Sequence, residues 1–309
     1  MVKKNYAIGV DIGSSFTKIA VVDNNGEINN MHTFSTTSYN TADEFIQALI
    51  LNIQLLGNSI NGNILGVGVG APNANHLTGE IDHAANMPWH ELIPLRAKLE
   101  EMVDVPVMVT NDAKVAAYGE MLFGKAKGMK DFMVITLGTG VGSGIVVNGE
   151  LVYGHDGMAG EIGHIVAKPN GRPCGCGRKG CLETYASVTG ILNTGRKVMK
   201  ANNLPPFESG EALYNAAVAG NPMASEIFNL TGQILGTLLA QVHTVTSSEA
   251  YIFFGGLANA GEFLLVPTQK AFEQSLLFVY KDKMPKLMIS GLQDKNAAVL
   301  GAAAMMFTL

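Results

Sequence analysis

The feature that most restricts how this chain can fold is an internal repeat. Residues 6–28 read as an apolar strand (YAIGVD), a turn of small polar residues (IGSS), a second strand (FTKIAVVD) and a closing turn (NNGEI). Residues 132–152 read the same way: FMVITL, GTGVGS, GIVV, NGELV. Each copy closes on Gly-Glu-aliphatic, at Gly26-Glu27-Ile28 and at Gly149-Glu150-Leu151. Val/Ile runs bounded by Gly, Ser and Asn are hairpin signals, because branched side chains suit a pleated sheet while the turn needs backbone freedom. Two matched hairpins predict a duplicated α/β domain with a cleft between the copies.

Helical patterns fill the intervals. Residues 42–56 place Phe45, Leu49, Ile53 and Leu56 on one face, an amphipathic spacing. Residues 95–103 predict a shorter, more polar helix. Asn221-Pro222 is an N-cap and first-turn pair opening a long helix with a stripe of Ile227, Leu230, Ile234, Leu238 and Val242. Asp294 is a candidate cap for a closing helix whose Ala297, Ala298, Gly301, Ala302 and Ala303 permit close packing.

At 309 residues and 47% hydrophobic, the chain can bury a large core, expected as two lobes. With 21 Lys+Arg against 26 Asp+Glu, it lacks the basic surface that nucleic-acid binding needs. No apolar run is long enough to span a bilayer, and no signal-peptide pattern is seen, so a cytoplasmic protein with no membrane partner is expected.

Two turns suit anion binding, where backbone N–H groups converge with no side chain in the way. They are Asp11-Ile12-Gly13-Ser14-Ser15 and Leu137-Gly138-Thr139-Gly140-Val141-Gly142, each leaving a strand. Ser15, Thr17 and Thr139 offer hydroxyl donors, and Asp11 a hard carboxylate for Mg²⁺. Lys18 is grouped with the first turn. Gly255-Gly256 follows the strand-like AYIFF and leaves room for a flat ring, or else is a plain strand-to-helix connection. Residues 105–110 (VPVMVT) read as a buried strand ending at Asn111-Asp112, with a helix expected over 113–121. A carboxylate at a strand's C-terminal end faces the ligand crevice of an open α/β sheet, which makes Asp112 a candidate general base. Helix capping by Asn111 or Asp112 is the plainer reading, and the two roles can coexist.

All three cysteines, Cys174, Cys176 and Cys181, lie in one glycine-rich stretch with His164 upstream. Three thiols and an imidazole form the donor set of a closed tetrahedral Zn²⁺ site, and none is left over for a disulfide framework. Glu161 and Glu183 bracket the cluster as carboxylates that can hold hydroxyls. Four protein ligands leave no open position for metal chemistry, so the zinc would be structural and a zinc hydrolase is disfavoured.

GEIGH (160–164), CGCGRKGCLE (174–183), NDAKVAAYGE (111–120) and LGTGVGSG (137–144) together resemble the ROK family (repressors, open reading frames and sugar kinases) of the actin-like ATPase superfamily. The resemblance covers nearly the whole chain. It implies an α/β, two-lobed actin-like ATPase (ribonuclease H-like) fold: a small lobe of 1–112 joined by the closing helix 294–309, and a large lobe of 113–293 carrying a zinc loop at 164–181. It also implies an ATP- and Mg²⁺-dependent hexokinase-type kinase, with glucose as the expected sugar. An N-acetylglucosamine, N-acetylmannosamine or fructose kinase is the alternative, and a non-catalytic sugar sensor the rival from another class.

On the same resemblance, Asp112 activates the sugar 6-hydroxyl. Asn111, Glu161, His164, Glu183 and Asn86 hold the sugar, with His164 serving both zinc and a hydroxyl. Asp11, Gly13, Ser14, Ser15, Gly138, Thr139 and Gly140 line the phosphates, and Gly255-Gly256 the adenosine. The final helix is expected to return to the N-terminal lobe, and two copies to form a homodimer. Too few residues precede Asp11 for a DNA-binding helix-turn-helix, which favours the kinase branch. The chain departs from the common pattern at Ser14, Ser15 and Phe16 in the first turn, at Lys114 in place of a second asparagine, and at GAPNAN (70–75).

Overall fold

A computed structural model describes residues 4–84, 87–292 and 296–309. The chain packs into two compact units: Met1–Gly128 with Leu151–Ala159 and Asp294–Leu309, and Met129–Glu150 with Gly160–Gln293.

Unit 1 is built on strands β1 (Asn5–Ile12), β2 (Phe16–Asp23), β3 (Ile28–Ser35) and β4 (Asn63–Gly70), a short ladder of β5 (Ile81–Asp82) and β6 (Leu92–Ile93), and β7 (Val107–Thr110). Its main sheet has the order β3-β2-β1-β4-β7. The β1–β2–β3 meander is antiparallel, while β4 and β7 add in parallel. Helices α1 (Ala42–Asn58), α2 (Leu95–Glu100) and α3 (Asp112–Leu122) complete the first part of the unit. The apolar face expected for α1 is buried at Phe45, Leu49, Ile53 and Leu56. Its N-cap is Thr41, whose hydroxyl accepts from the Glu44 amide. α2 is shorter than its pattern, because the chain turns at Glu101.

Unit 2 repeats the plan. Strands β8 (Phe132–Leu137), β9 (Val141–Val147), β10 (Glu150–Leu151), β11 (Ala250–Phe254) and β12 (Lys286–Ile289) lie in the order β10-β9-β8-β11-β12. β8 and β9 are antiparallel, and β11 and β12 add in parallel as β4 and β7 do. The duplication read from the two hairpins is therefore complete down to strand order. Helices α4 (Glu183–Ala186), α5 (Val188–Ala201), α6 (Gly210–Val218), α7 (Pro222–Thr246) and α8 (Glu262–Ser275) follow. Asn221 caps α7 by accepting from Met223 and Ala224 amides. Of its expected stripe, Ile227, Leu238 and Val242 are buried, while Leu230 and Ile234 are half-buried. The face against α8 runs instead through Gly232 and Gly236, where any Cβ would strike Pro267 or the Thr268 carbonyl. Among the described residues no helix is long and apolar enough to cross a membrane.

The closing helix, α9 (Ala297–Ala304), returns to unit 1. Its backbone lies so close to β1 and β4 that a Cβ on Gly9 would sit 2.1 Å from the Val299 carbonyl, and one on Gly68 1.8 Å from that of Ala302. Asp294, read as its cap, lies outside the described residues. The lobe boundary expected at residue 112 differs from the observed packing. α3 belongs with unit 1, because α9 buries it: a Cβ on Gly301 would sit 2.3 Å from the Val115 carbonyl.

Candidate active site

In unit 2 the GEIGH segment is shaped by its glycines. Gly160 has φ +103°, and a Cβ there would strike the Ser143 carbonyl; at Gly163 it would lie 2.0 Å from the Val141 carbonyl. This close seat on β9 forms a 3-10 turn over Ile162–His164, with Ile162 buried, Glu161 exposed and His164 half-buried. The Ser143 hydroxyl donates to the Gly160 carbonyl at 2.5 Å.

The thiols and His164 converge. The ligating atoms of His164, Cys174, Cys176 and Cys181 all lie within 4.8 Å of one another, as the one such His/Cys cluster among the described residues. Cys174 Sγ is 3.7 Å from His164 Nδ1, and Cys176 Sγ is 3.6 Å from Cys181 Sγ. Zn–S bonds of about 2.3 Å in a tetrahedron require donor edges of about 3.8 Å, so the set fits zinc. The loop reaches this shape through left-handed backbone at Gly177 and Gly180; Gly175 needs no such freedom. Hydrogen bonds from Arg178 hold the Cys176 thiol down, to about 6, while burial pushes Cys181 up to about 12. With Nδ1 facing the sulfur, Nε2 of His164 is the nitrogen left for another partner.

Glu183, at the start of α4, joins this loop to the second turn. Its Oε1 lies 3.9 Å from Cys174 Sγ and its Oε2 accepts the Val141 amide at 3.1 Å. A Cβ on Gly140 would stand 2.6 Å from that Oε2, so the glycine leaves room for the carboxylate in this position. Gly138 and Thr139 complete the turn, with the Gly138 amide bonded to the Gly140 carbonyl at 3.0 Å and Thr139 exposed. Gly255 is at φ +102° against Leu137, whose carbonyl accepts the Leu257 amide at 3.0 Å; the Gly255-Gly256 pair thus lies beside the strand that feeds the turn. A cavity of about 820 Å³ opens here, lined by Thr139, Glu183, Thr184, Ser187, Arg196 and Lys197 among others. That is the size class of small-molecule sites.

In unit 1, Asn111 takes the cap of α3, its side-chain oxygen accepting the Lys114 amide at 2.9 Å. Asp112, the first helical residue, is thereby released from capping. Its carboxylate accepts the adjacent Ala113 amide at 2.8 Å, and the residue is exposed. Desolvation of the carboxyl by its surroundings pushes it up, against its backbone amides and the charge of Lys114. Asp11 is half-buried and paired in register with Lys18 across β1 and β2. Desolvation also raises its carboxyl; Lys18 opposes this and the charge of Asp112 adds to it. Gly13 closes the first turn with its amide on the Phe16 carbonyl at 3.1 Å, and Ser14 and Ser15 are exposed on it.

One expected donor is corrected. Thr17 is fully buried, its hydroxyl 2.9 Å from that of Thr36, so it braces the turn from beneath and does not face a phosphate. Asn86 lies outside the described residues. Two residues escaped the sequence reading of the site. Arg172 donates to the Thr184 and Gly190 carbonyls and to the Thr194 hydroxyl, and stacks 4.5 Å over Tyr185, fastening the cysteine loop to α4 and α5. The other is Lys114, noted in the sequence only as standing in place of a second asparagine; it is buried, and nothing in a helical run marks a lysine as buried.

The ROK family profile matches residues 7–308, and the chain belongs to that family. A glucokinase of Halalkalibacterium halodurans is 36% identical over 286 residues, 86% of this chain and 84% of its own. One from Streptomyces coelicolor is 33% identical over 309 residues, 96% of each chain. Among solved structures, a ROK glucokinase from Streptomyces griseus, in complex with glucose and AMPPNP, matches with a TM-score of 0.78 at 31% identity. That match covers 98% of this chain and 100% of the other. The fold is accordingly the actin-like ATPase fold of ROK sugar kinases.

Proposed function

We propose that this chain is an ATP-dependent kinase that transfers the γ-phosphoryl group of ATP to the 6-hydroxyl of glucose. The observation that carries the reading is the division of labour at the start of α3: Asn111 caps the helix, leaving the Asp112 carboxylate open and basic. A base with a raised pKa is matched to accepting a proton from an attacking alcohol. Support comes from the relatives, of which one binds glucose and an ATP analogue.

On this reading Glu161, His164 Nε2, Glu183 Oε1 and the Asn111 amide hold the sugar hydroxyls. As the 6-oxygen bonds to the γ-phosphorus, its proton passes to Asp112, the bond to the β,γ-bridging oxygen breaks, and ADP leaves. Catalysis of such a transfer is positioning and charge stabilisation. The 138–142 turn offers backbone N–H groups to the phosphates, and the cavity beside it, with Arg196 and Lys197, suits the nucleotide. Asp11 would hold Mg²⁺, which neutralises phosphate charge when bound. His164, Cys174, Cys176 and Cys181 would hold a structural zinc that fixes the sugar loop.

The test is ADP release with Mg-ATP across glucose, N-acetylglucosamine, N-acetylmannosamine, mannose and fructose. Turnover is expected on glucose. Preference for an N-acetyl sugar would move the substrate within the class, and no turnover by zinc-loaded protein would end the kinase reading.

A further inference from the structure

Lys114 is 1% exposed, one of the largest fully buried side chains of the chain. It occupies the first turn of α3, where the helix dipole disfavours a cation, and burial of an ammonium is costly unless acceptors surround it. Its Nζ donates to the Gly157 carbonyl at 3.2 Å. Gly157 belongs to Leu151–Ala159, the strap that packs with unit 1 and runs on in sequence into Gly160 and Glu161.

The strap is tied at further points along its length. Tyr118, one turn along α3 from Lys114, meets the Tyr153 hydroxyl at 2.9 Å. The Tyr153 ring stacks on His76 at 3.7 Å, with only 10° between planes. Asn75 donates to the Asp156 carbonyl at 2.7 Å, and Gly157 stands at φ +83° where a Cβ would strike Asn75. The GAPNAN loop and α3 thus both hold the strap, and the Lys114 ammonium binds its backbone directly.

We propose that Lys114 is a positioning residue for hexose binding: by fastening the strap to the helix that carries Asp112, it restricts the backbone entering Gly160 and Glu161. The proposal rests on the kinase reading, with Glu161 on the sugar. Lys114→Met keeps the stem and removes the ammonium, and Asn75→Ala loosens the strap from the partly exposed side. Each is compared with wild type by hexose KM, Mg-ATP KM, kcat and backbone hydrogen exchange.

The expected result for both is a hexose KM raised about tenfold or more, with Mg-ATP KM within about twofold, as when a ground-state contact is lost. Exchange should quicken over 151–164 while β1 and β4 stay protected. In Lys114→Met the acid limb of the pH profile should also move to higher pH, since the lysine charge no longer holds the Asp112 proton off. Asp11 and Lys18 on β1 and β2, and Tyr118, Tyr153, His76 and Arg96 at or near the strap, are further ionisable groups and are unchanged in both variants. Normal hexose KM with unchanged exchange over 151–164 in Lys114→Met overturns the proposal, as does a uniform loss of protection with both KM values shifted alike. If Lys114→Met does not fold, Asn75→Ala decides by the same two readouts. A wild-type chain without sugar turnover would defeat the kinase reading by itself, while the exchange data would still show whether the lysine holds the strap.

Discussion

In unit 1 the strand entering the hairpin turn carries Asp11; at the corresponding place in unit 2 stands Thr136, whose hydroxyl accepts the Gly142 amide at 3.1 Å. The first turn places four residues between its last paired positions, Ile12 and Thr17; the second places three, between Leu137 and Val141. Gly13 is a glycine because a Cβ would meet its own turn, 2.9 Å from the Phe16 carbonyl, whereas Gly140 is one because a Cβ would meet Glu183. Duplication thus supplied one frame twice, and divergence at a few positions gave one copy a free carboxylate and the other a tight backbone seat for a neighbouring acid. On the proposed function, the first copy would act through side chains and the second through backbone N–H groups.

The largest expected effect falls on the carboxylate side. Asp112→Asn should lower kcat about 10²- to 10⁴-fold with little change in glucose KM, measured as ADP release. The same change should raise Tm at pH 7. The sign follows from the raised pKa: above the unfolded value near 3.8 the folded carboxyl binds more protons than the unfolded one, so stability falls as pH rises through this window. Asp11 contributes in the same direction. Removing the Asp112 charge removes its part of that cost, and a Tm that drops instead would show the carboxylate to be structural.

Next in size is metal removal, which should separate the two turns. Glu183 touches both Cys174 and Val141, so loss of the proposed zinc should release the second turn but not the first. Chelation is expected to quicken hydrogen exchange over 138–142 and 160–183, to raise glucose KM, and to leave residues 11–17 protected. Equal loosening of both turns would mean that the ion supports the fold at large.

A smaller contrast lies within the second turn. Gly138→Ala meets open space, and Gly140→Ala meets only the far end of the Glu183 side chain. Both should fold with Tm close to wild type. Gly140→Ala should nevertheless raise glucose KM about tenfold, because Glu183 must leave the Val141 amide, whereas Gly138→Ala should leave glucose KM unchanged. Similar sugar KM values for the two would separate Glu183 from the sugar.

What could be read from sequence follows from where the information lies. The repeat, α1, the α7 cap and the cysteine cluster rest on patterns local to the chain: Val/Ile runs with glycine turns, an apolar face, Asn221 before Pro222, donors crowded together. Asp112 was legible because a strand end and a cap coincide there. The burial of Lys114, the α4–α5 contacts of Arg172 and the inward turn of Thr17 were not legible, since each depends on a segment distant in sequence: Gly157, Gly190 and Thr36. The lobe boundary at residue 112 differs from the packing for the same reason, because only α9, at the far end of the chain, shows which unit owns α3.

Thr17 also supplies the smallest effect. Thr17 and Thr139 looked alike as hydroxyls beside glycine turns, but one is buried against Thr36 and the other is exposed beside the cavity. Thr17→Val keeps the shape and leaves the buried Thr36 hydroxyl without that bond, which should cost about 1 kcal/mol in denaturant unfolding. Its ATP KM should match wild type, since no phosphate reaches that hydroxyl. Thr139→Val should do the reverse, raising ATP KM a few-fold with stability unchanged, because an exposed hydroxyl exchanges one water partner for another when the protein folds. An ATP KM that rises in Thr17→Val while stability holds would mean the hydroxyl leaves Thr36 for a phosphate once ligand binds, and the first turn would then work as the second does.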